Sequence, residues 1–249
     1  MPTFRTKAIV LKSHVLNENS KIVTLITTKF GKISAVAKGS KKITSKFGAI
    51  LEVFAYLDMQ LYQKESRELY TLIQAKLISS HSLIKEDLKK TATALCLVEI
   101  LDHILTGKKS DLKIFLLTFK TLQFISKNYH PFYIYAYILK LFSFLGLRMH
   151  LTNCLQCKKE VLNKTKLSFL EGGVICLKCN NDSKAIDIDF EMLNLLRNLL
   201  YLKLTQISKL PCPKESLRDL KRIILDNYIN YYLPSPLKSL KFYEEIIIT

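Results

Sequence analysis

The chain has 249 residues, of which 49% are hydrophobic, and this excludes an intrinsically disordered basic tail because such chains lack the apolar side chains that offset the entropy of ordering. Seven glycines and six prolines exclude collagen-like and linker-dominated chains. The formal net charge of +17, from 38 lysines and arginines against 21 acidic residues, favours a polyanionic partner such as a nucleic acid or an anionic membrane surface.

Basic residues are concentrated at the N-terminal end. The first 50 residues contain one acidic residue, Glu18, against ten basic ones, and so carry about half of the net charge. The basic residues are Arg5, Lys7, Lys12, Lys21, Lys29, Lys32, Lys38, Lys41, Lys42 and Lys46. A solvated surface would explain an isolated lysine, but this clustering indicates a surface that binds polyanions.

Short apolar runs rich in β-formers predict five strands in the first 78 residues. Gly31 is suited to the turn between the second and third. The fourth has the clearest signal, because apolar residues alternate with other residues over twelve positions. The strands cover residues 4–12, 21–27, 33–38, 51–62 and 69–77. No helical stretch between them is long enough for a crossover, so a small barrel is expected, with the five-stranded oligonucleotide-binding (OB) barrel as the leading candidate.

One face of the fourth predicted strand carries three aromatic residues, Phe54, Tyr56 and Tyr62. These rings could stack on nucleic-acid bases, or they could pack against the helices that follow. We expect packing, because a large helical domain must dock somewhere.

From residue 80 the apolar period becomes helical. Asp111 is suited to cap the second helix, Pro131 to begin the third, and Asp187 or Asp189 to cap the fourth. Pro213 is suited to begin the last, and prolines 234 and 236 end it. The predicted helices cover residues 88–105, 112–127, 131–146, 190–202 and 213–233.

The most hydrophobic stretch, residues 132–147, is too short to span a bilayer comfortably. Lys140 near its middle would cost about 2.5–3.5 kcal/mol in a membrane. We therefore expect a buried helix, with no membrane association. The apolar run at residues 8–11 is far shorter than the core of a signal peptide, so a cytoplasmic location is expected.

Two C-x₂-C pairs stand 18 residues apart, formed by Cys154, Cys157, Cys176 and Cys179. Each pair lets two thiolates converge on one cation from a tight turn, and Gly172 and Gly173 allow a hairpin that brings the pairs together. The spacing predicts one structural Zn²⁺ in a tetrahedral Cys₄ site. Four ordinary buried cysteines or disulfides are the alternatives, but adjacent x₂ pairs in a cytosolic chain favour a metal.

Signatures of catalysis are missing from the sequence. A closed Cys₄ site leaves no open position for water, and there is no H-x-E of a zinc deaminase. The sequence also lacks a P-loop, an H-E-x-x-H and a G-x-S-x-G motif. We therefore expect a protein that is not an enzyme, and a zinc-dependent nucleic-acid enzyme is disfavoured.

The segments at residues 23–27, 30–42 and 47–54 resemble the RecO family of bacterial recombination mediators, and the G-K-x-x-x-x-A-K-G-x-x-K segment within them is fairly specific. The resemblance extends along nearly the whole chain. It implies an α+β protein, with an OB barrel at 1–79, an all-α C-terminal domain at 80–149 and 185–249, and an inserted Cys₄ zinc ribbon at 150–184.

The resemblance also implies a function. Family members bind single- and double-stranded DNA, anneal complementary strands, and help RecA replace single-strand-binding protein (SSB). Partners implied by the family are RecR and the acidic C-terminal tail of SSB, in the bacterial cytoplasm at the nucleoid. For that tail we expect basic residues of the helical domain, with Lys140, Arg148 and Arg197 as candidates.

Lysines of the barrel match the basic stretch of the family motif. They are Lys38, Lys41 and Lys42, with Lys32 and Lys46 beside them. OB barrels usually bind nucleic acid on strands 2–3 and on the 1–2 and 4–5 loops. This cluster falls mainly after the third strand, which leaves open a DNA path different from the standard one. An RNA- or ribosome-associated zinc-ribbon OB protein is the alternative that the same charge would serve.

Overall fold

The computed structural model describes residues 3–41, 45, 47–63, 69–107, 109–233 and 235–247. The chain divides into two compact units, Met1–Lys127 and Asn128–Thr249. The first contains the barrel strands and the first two helices, and the second contains the remaining elements. The domain boundaries predicted from the sequence, after residues 79, 149 and 184, remain a proposal.

Five strands of the first unit close into a barrel in the order β1-β2-β3-β5-β4. The strands are β1 (Thr3–Asn17), β2 (Ser20–Thr27), β3 (Gly31–Ala37), β4 (Tyr56–Tyr62) and β5 (Tyr70–Ser79). β1 pairs with both β2 and β4, and β3 pairs with β5 in parallel. This is the strand order of an OB barrel, so the predicted fold class is confirmed.

The fourth strand is shorter than its alternation predicted. Residues Gly48–Leu51 form a 3₁₀-helix, and Phe54 has a positive φ of 75°. Leu51 and Phe47 belong to the buried core of the barrel without being part of a strand. The prediction of a strand from residue 51 was wrong because core packing at the end of the barrel imitates the alternation of a strand.

Two helices complete the first unit, α1 (Leu88–Ile104) and α2 (Leu112–Lys127). The Asp87 carboxylate accepts from Lys90 N at the start of α1 (3.0 Å), and Asp111 accepts from Lys113 N at the start of α2 (2.7 Å). Tyr56 of β4 packs against α2, with its ring centroid 4.7 Å from that of Phe119. This ring therefore packs against a following helix, as expected, and part of it stays accessible to solvent.

A carboxylate of α1 holds two strands of the barrel. Asp102 accepts from Lys12 Nζ of β1 at 2.6 Å and lies 3.3 Å from Lys32 Nζ of β3. Lys32 Nζ also donates to the Asp102 carbonyl oxygen at 2.5 Å. Burial opposes ionisation of this carboxyl, but the hydrogen bond from Lys12 and the charges of both lysines outweigh it and lower the pKa of Asp102.

The second unit combines helices with a three-stranded sheet of order β7-β6-β8. The strands are β6 (Thr165–Ser168), β7 (Gly173–Ile175) and β8 (Ile186–Ile188). The helices are α3 (Phe132–Phe144), α4 (Phe190–Tyr201), α5 (Leu204–Ile207), α6 (Lys214–Leu220), a π-helical segment (Lys221–Ile229), α7 (Asn230–Tyr232) and α8 (Lys238–Ile247). β8, α5 and α8 were not predicted.

The hydrophobic stretch forms the buried helix α3, as predicted. Its first eight residues are all buried, and Lys140 is satisfied because its Nζ donates to the carbonyl oxygen of Leu200 at 2.6 Å. Burial lowers the pKa of Lys140 to about 8. Among the described residues, no helix combines the length and apolar character needed to cross a membrane.

We expect Asp102→Asn to lower the free energy of unfolding by about 1–3 kcal/mol, because it leaves two partly buried ammonium groups without a counter-charge. Urea unfolding at pH 7 measures the loss. Asp58→Asn is the matched control, since it breaks a surface ion pair with the exposed Arg5 (2.8 Å) and should have a much smaller effect. Equal effects would contradict the role of Asp102.

The lowered pKa also sets a pH dependence. The contribution of Asp102 to stability is complete above its unfolded-state pKa, about 3.9. It is lost as the pH falls from there through the lower folded-state value. The stability difference between the native protein and Asp102→Asn should therefore shrink below about pH 4.

Candidate metal centre and nucleic-acid interface

The two cysteine pairs meet in space. The sulfur atoms of Cys154, Cys157, Cys176 and Cys179 all lie within 4.8 Å of one another. The Sγ atoms of Cys157 and Cys176 are 3.9 Å apart. An ion bound tetrahedrally at roughly 2.3 Å from each sulfur would hold the sulfurs about 3.8 Å apart. The four cysteines could therefore hold one metal ion.

Backbone hydrogen bonds of two tight turns set this geometry. Lys158 N donates to the Cys154 carbonyl oxygen at 3.0 Å, and Lys158 adopts a positive φ of 62°. Cys179 N donates to the Cys176 carbonyl oxygen at 3.1 Å. The predicted β6–β7 hairpin joins the pairs, because Leu155 N donates to Val174 of β7 at 3.0 Å, immediately before the second knuckle.

The four thiols are electrostatically inequivalent. Burial opposes ionisation of Cys154, but backbone N–H groups of Cys176, Cys157 and Gln156 outweigh it and lower the pKa of Cys154 to about 6. Hydrogen bonds to Cys176 and Cys157 raise the pKa of Cys179 to about 12. Four sulfurs this close cannot all ionise unless a cation neutralises them, and a four-thiolate donor set suits a soft metal.

Gly173 permits a close approach that supports the metal centre. A Cβ atom at this position would lie 2.3 Å from the His150 carbonyl oxygen. That oxygen accepts from Val174 N, and His150 N donates to Gly172, both at 2.9 Å. The chain before the first knuckle is thereby fixed to the hairpin. Sequence reasoning had given Gly173 only a role in the turn.

Arg197 of α4 binds backbone beside the same centre. Its Nε donates to the Leu151 carbonyl oxygen at 2.7 Å, and Nη2 donates to Thr152 and Val161, each at 3.3 Å. Arginine suits this position because its fork of donors satisfies several carbonyls at once. The guanidinium of this predicted tail-binding residue is therefore engaged in holding the cysteine-bearing segment.

Two of the predicted DNA-contacting lysines lie at the exit of β3. Lys38 and Lys41 are exposed. Between them Gly39 has φ 71°, and the buried Ser40 accepts from Lys21 N through its Oγ at 2.9 Å. The remaining two predicted contacts in this loop, Lys42 and Lys46, lie outside the described residues.

This segment is attached to the turn between β1 and β2, since Lys41 N donates to the Asn19 carbonyl oxygen at 3.3 Å. Lys41 therefore lies beside the 1–2 loop, and Lys38 is three residues before it. That loop is part of the usual nucleic-acid surface of OB barrels. The basic segment after β3 is therefore next to one of the loops through which OB barrels usually bind nucleic acid, although it follows the third strand in the chain.

Lys32, also predicted to contact DNA, is half-buried and held by Asp102. Sequence reasoning missed a different lysine. Glu52 pairs with Lys21 at 3.2 Å and with Lys85 at 3.7 Å. Lys85 thereby joins the barrel end, although it follows the last strand in the chain. No local pattern could have revealed this, because Lys85 meets Glu52 across 33 positions of the sequence. We call Lys21, Lys38, Lys41 and Lys85 the basic rim.

These features define the class of the protein, an OB-barrel protein with a basic rim and a cluster of four cysteines that could hold a metal ion. Family comparisons agree. Recombination protein O N terminal matches residues 1–81, and Recombination protein O C terminal matches residues 85–241. The chain belongs to the recombination protein O family.

Curated relatives are similar over most of their length. The chain is 32% identical over 247 residues to the DNA repair protein RecO of Caldanaerobacter subterraneus subsp. tengcongensis, covering 97% of this chain and 98% of that protein. It is 32% identical over 244 residues to the DNA repair protein RecO of Bacillus subtilis, covering 97% and 94% respectively. The RecO of Alkaliphilus metalliredigens is 31% identical over 235 residues.

We expect protein purified without chelator to contain one metal ion per chain, measured by elemental analysis. Cys176→Ser should bring the content below about 0.2 ions, because it removes one of four ligands. Cys212→Ser is the matched control, since Cys212 is a free cysteine outside the cluster, and should retain the metal. A native protein with fewer than about 0.2 ions per chain would contradict the assignment.

Proposed function

We propose that this protein is a non-enzymatic DNA repair and recombination mediator. It binds single- and double-stranded DNA, anneals complementary strands, and helps RecA replace SSB on single strands. Membership of the recombination protein O family supports the general role. The basic rim is the single observation that carries the mechanism, because it gathers four lysines from three segments at one end of an OB barrel, and Lys38, Lys41 and Lys85 among them are exposed.

The rim lysines act on phosphates. Lysine neutralises the backbone and releases counterions, which gives affinity without sequence preference. Lys38 and Lys41, together with Lys42 and Lys46, are the proposed contacts. Lys32 contributes positive charge from a position fixed by Asp102, so its proposed role is to support the rim.

Annealing requires two polyanionic strands to approach each other despite their repulsion. A basic surface that contacts backbones lowers this barrier while leaving base edges free to pair. The proposed metal is one Zn²⁺, which suits four cysteine thiolates in a closed structural site. Its proposed role is structural, because it fixes the cysteine-bearing segment and takes part in no chemical reaction.

The proposed protein partners are RecR, the RecA pathway and the acidic C-terminal tail of SSB. The proposed location is the bacterial cytoplasm, at the nucleoid. Of the three candidates for the tail, Lys140 and Arg197 donate to backbone carbonyl groups. Arg148 is exposed and lies over the ring of Tyr201, 4.9 Å from its centroid. A cation beside an aromatic ring suits an acidic, apolar chain end, so Arg148 is the favoured contact.

We expect Lys38→Glu, Lys41→Glu and Lys42→Glu in combination to weaken binding to a single-stranded oligonucleotide sharply. The slope of log K against log salt should fall by about 2, since each lost phosphate contact removes roughly 0.7. Fluorescence anisotropy across a salt series measures both. Exposed lysines of the second unit, Lys209, Lys214 and Lys241, provide a control with the same charge change. Equal losses in both variants would exclude a specific role for the rim.

The function itself is tested by annealing of complementary oligonucleotides, bare and coated with SSB. We expect the protein to accelerate duplex formation in both cases, with strands recovered at full length. Competition between single-stranded DNA and structured RNA separates the proposal from the RNA-binding alternative. No acceleration, or preferential retention of RNA, would overturn the proposal.

A further inference from the structure

A groove of about 400 Å³ lies between the end of β5 and helix α2, within the first unit. Pockets of this size, largely apolar and with a few polar groups, are typical of small-ligand sites. The groove-lining side chains used below are Tyr56, Ile78, His81, Leu83, Phe119 and Gln123. Ile78 and Leu83 are 47% and 45% exposed, so apolar surface is left open to solvent here.

Aromatic rings form much of the groove. The Tyr56 and Phe119 centroids are 4.7 Å apart with their planes at 47°, and His81 meets Phe119 edge-on at 6.1 Å. His81 is fixed, because its Nδ1 lies 3.0 Å from the Phe54 carbonyl oxygen. Both His81 and Phe54 adopt positive φ, at 48° and 75°. Tyr56 of the barrel and Phe119 of α2 therefore pack on each other and still line the groove.

Polar and basic groups accompany these rings. Ser80, Ser82, Gln123 and Lys127 also line the groove. Lys85, a member of the basic rim, follows Leu83 by two residues. The groove is therefore joined through one short turn to the surface proposed to hold phosphates.

We propose that this groove binds one unpaired base of the single strand whose phosphates lie on the basic rim. Aromatic rings stack on any base, while serine and glutamine side chains can donate to and accept from its edge. Lys127 and Lys85 supply positive charge for the flanking phosphates. The proposal rests on the proposed function in DNA binding and adds what the rim lacks, a group that recognises bases.

A consequence is selectivity for unpaired strands. A base inside a duplex has both faces stacked and cannot enter the groove unless it is first unstacked and unpaired, which costs free energy. When two strands anneal, the held base pairs and leaves. The duplex product is then retained by phosphate contacts alone, which favours its release.

The test compares a single-stranded oligonucleotide with an abasic one of equal length and charge. We expect the native protein to bind the base-bearing strand about 5- to 150-fold more tightly, the range of base–aromatic stacking. Phe119→Leu should abolish most of this difference while leaving the salt slope unchanged. Phe30→Leu is the matched control, because Phe30 contacts Phe4 and Tyr70 in the barrel and is not among the groove residues.

A second measurement uses the native protein and so does not depend on a variant that folds. An oligonucleotide carrying 5-iododeoxyuridine is cross-linked by light, and the modified peptide is identified by mass spectrometry. We expect cross-links at Tyr56, His81 or Phe119.

Equal affinity for the two strands, or cross-links confined to other segments, would overturn the groove assignment and leave the proposed function intact. Cross-links confined to other segments are also the result expected if the groove binds an apolar peptide. Failure to bind either oligonucleotide would contradict the proposed function and this inference with it.

Discussion

The first unit depends on one half-buried carboxylate, that of Asp102. Asp102 of α1 forms ion pairs with Lys12 of β1 and Lys32 of β3, so a helix is fixed to two barrel strands that are not neighbours in the closed sheet. A barrel with so much positive charge would repel itself if the lysines facing α1 were unpaired. The pairing offsets their desolvation and lets α1, and with it α2, pack against the barrel. The aromatic groove requires that packing, because Phe119 of α2 forms one of its walls.

The lysines of the barrel thus fall into two groups, those paired with a carboxylate and those exposed to solvent. Lys12 and Lys32 meet a carboxylate and stabilise the fold, whereas Lys38 and Lys41 are exposed and are available to a phosphate backbone. Lys21 is intermediate, because it shares Glu52 with Lys85 while its backbone orders the turn through Ser40. Net charge alone could not separate these roles.

Features that depend on local chemistry could be predicted from the sequence. Asp111 and Asp189 cap the helices that they precede, and the two C-x₂-C pairs meet because short turns and a glycine hairpin allow it. Features that depend on distant packing could not. Leu51 is buried as a strand residue would be, yet it lies in a 3₁₀-helix. The pairing of Lys32 with Asp102 links residues 70 positions apart, so nothing near either residue indicates it.

Strand annealing makes two demands that phosphate contacts alone cannot meet. A protein must hold single strands long enough for them to pair, and it must then release a duplex that carries more phosphates than either strand. Lysines bind both forms, so the rim by itself would favour the product. A site that holds an unpaired base reverses this preference, because pairing withdraws its ligand. The groove proposed to bind a base, with Tyr56 and Phe119 at its centre, lies one turn of chain from the rim. In the proposed mechanism, recognition of bases next to a surface for phosphates therefore lets one small unit both gather strands and release the duplex.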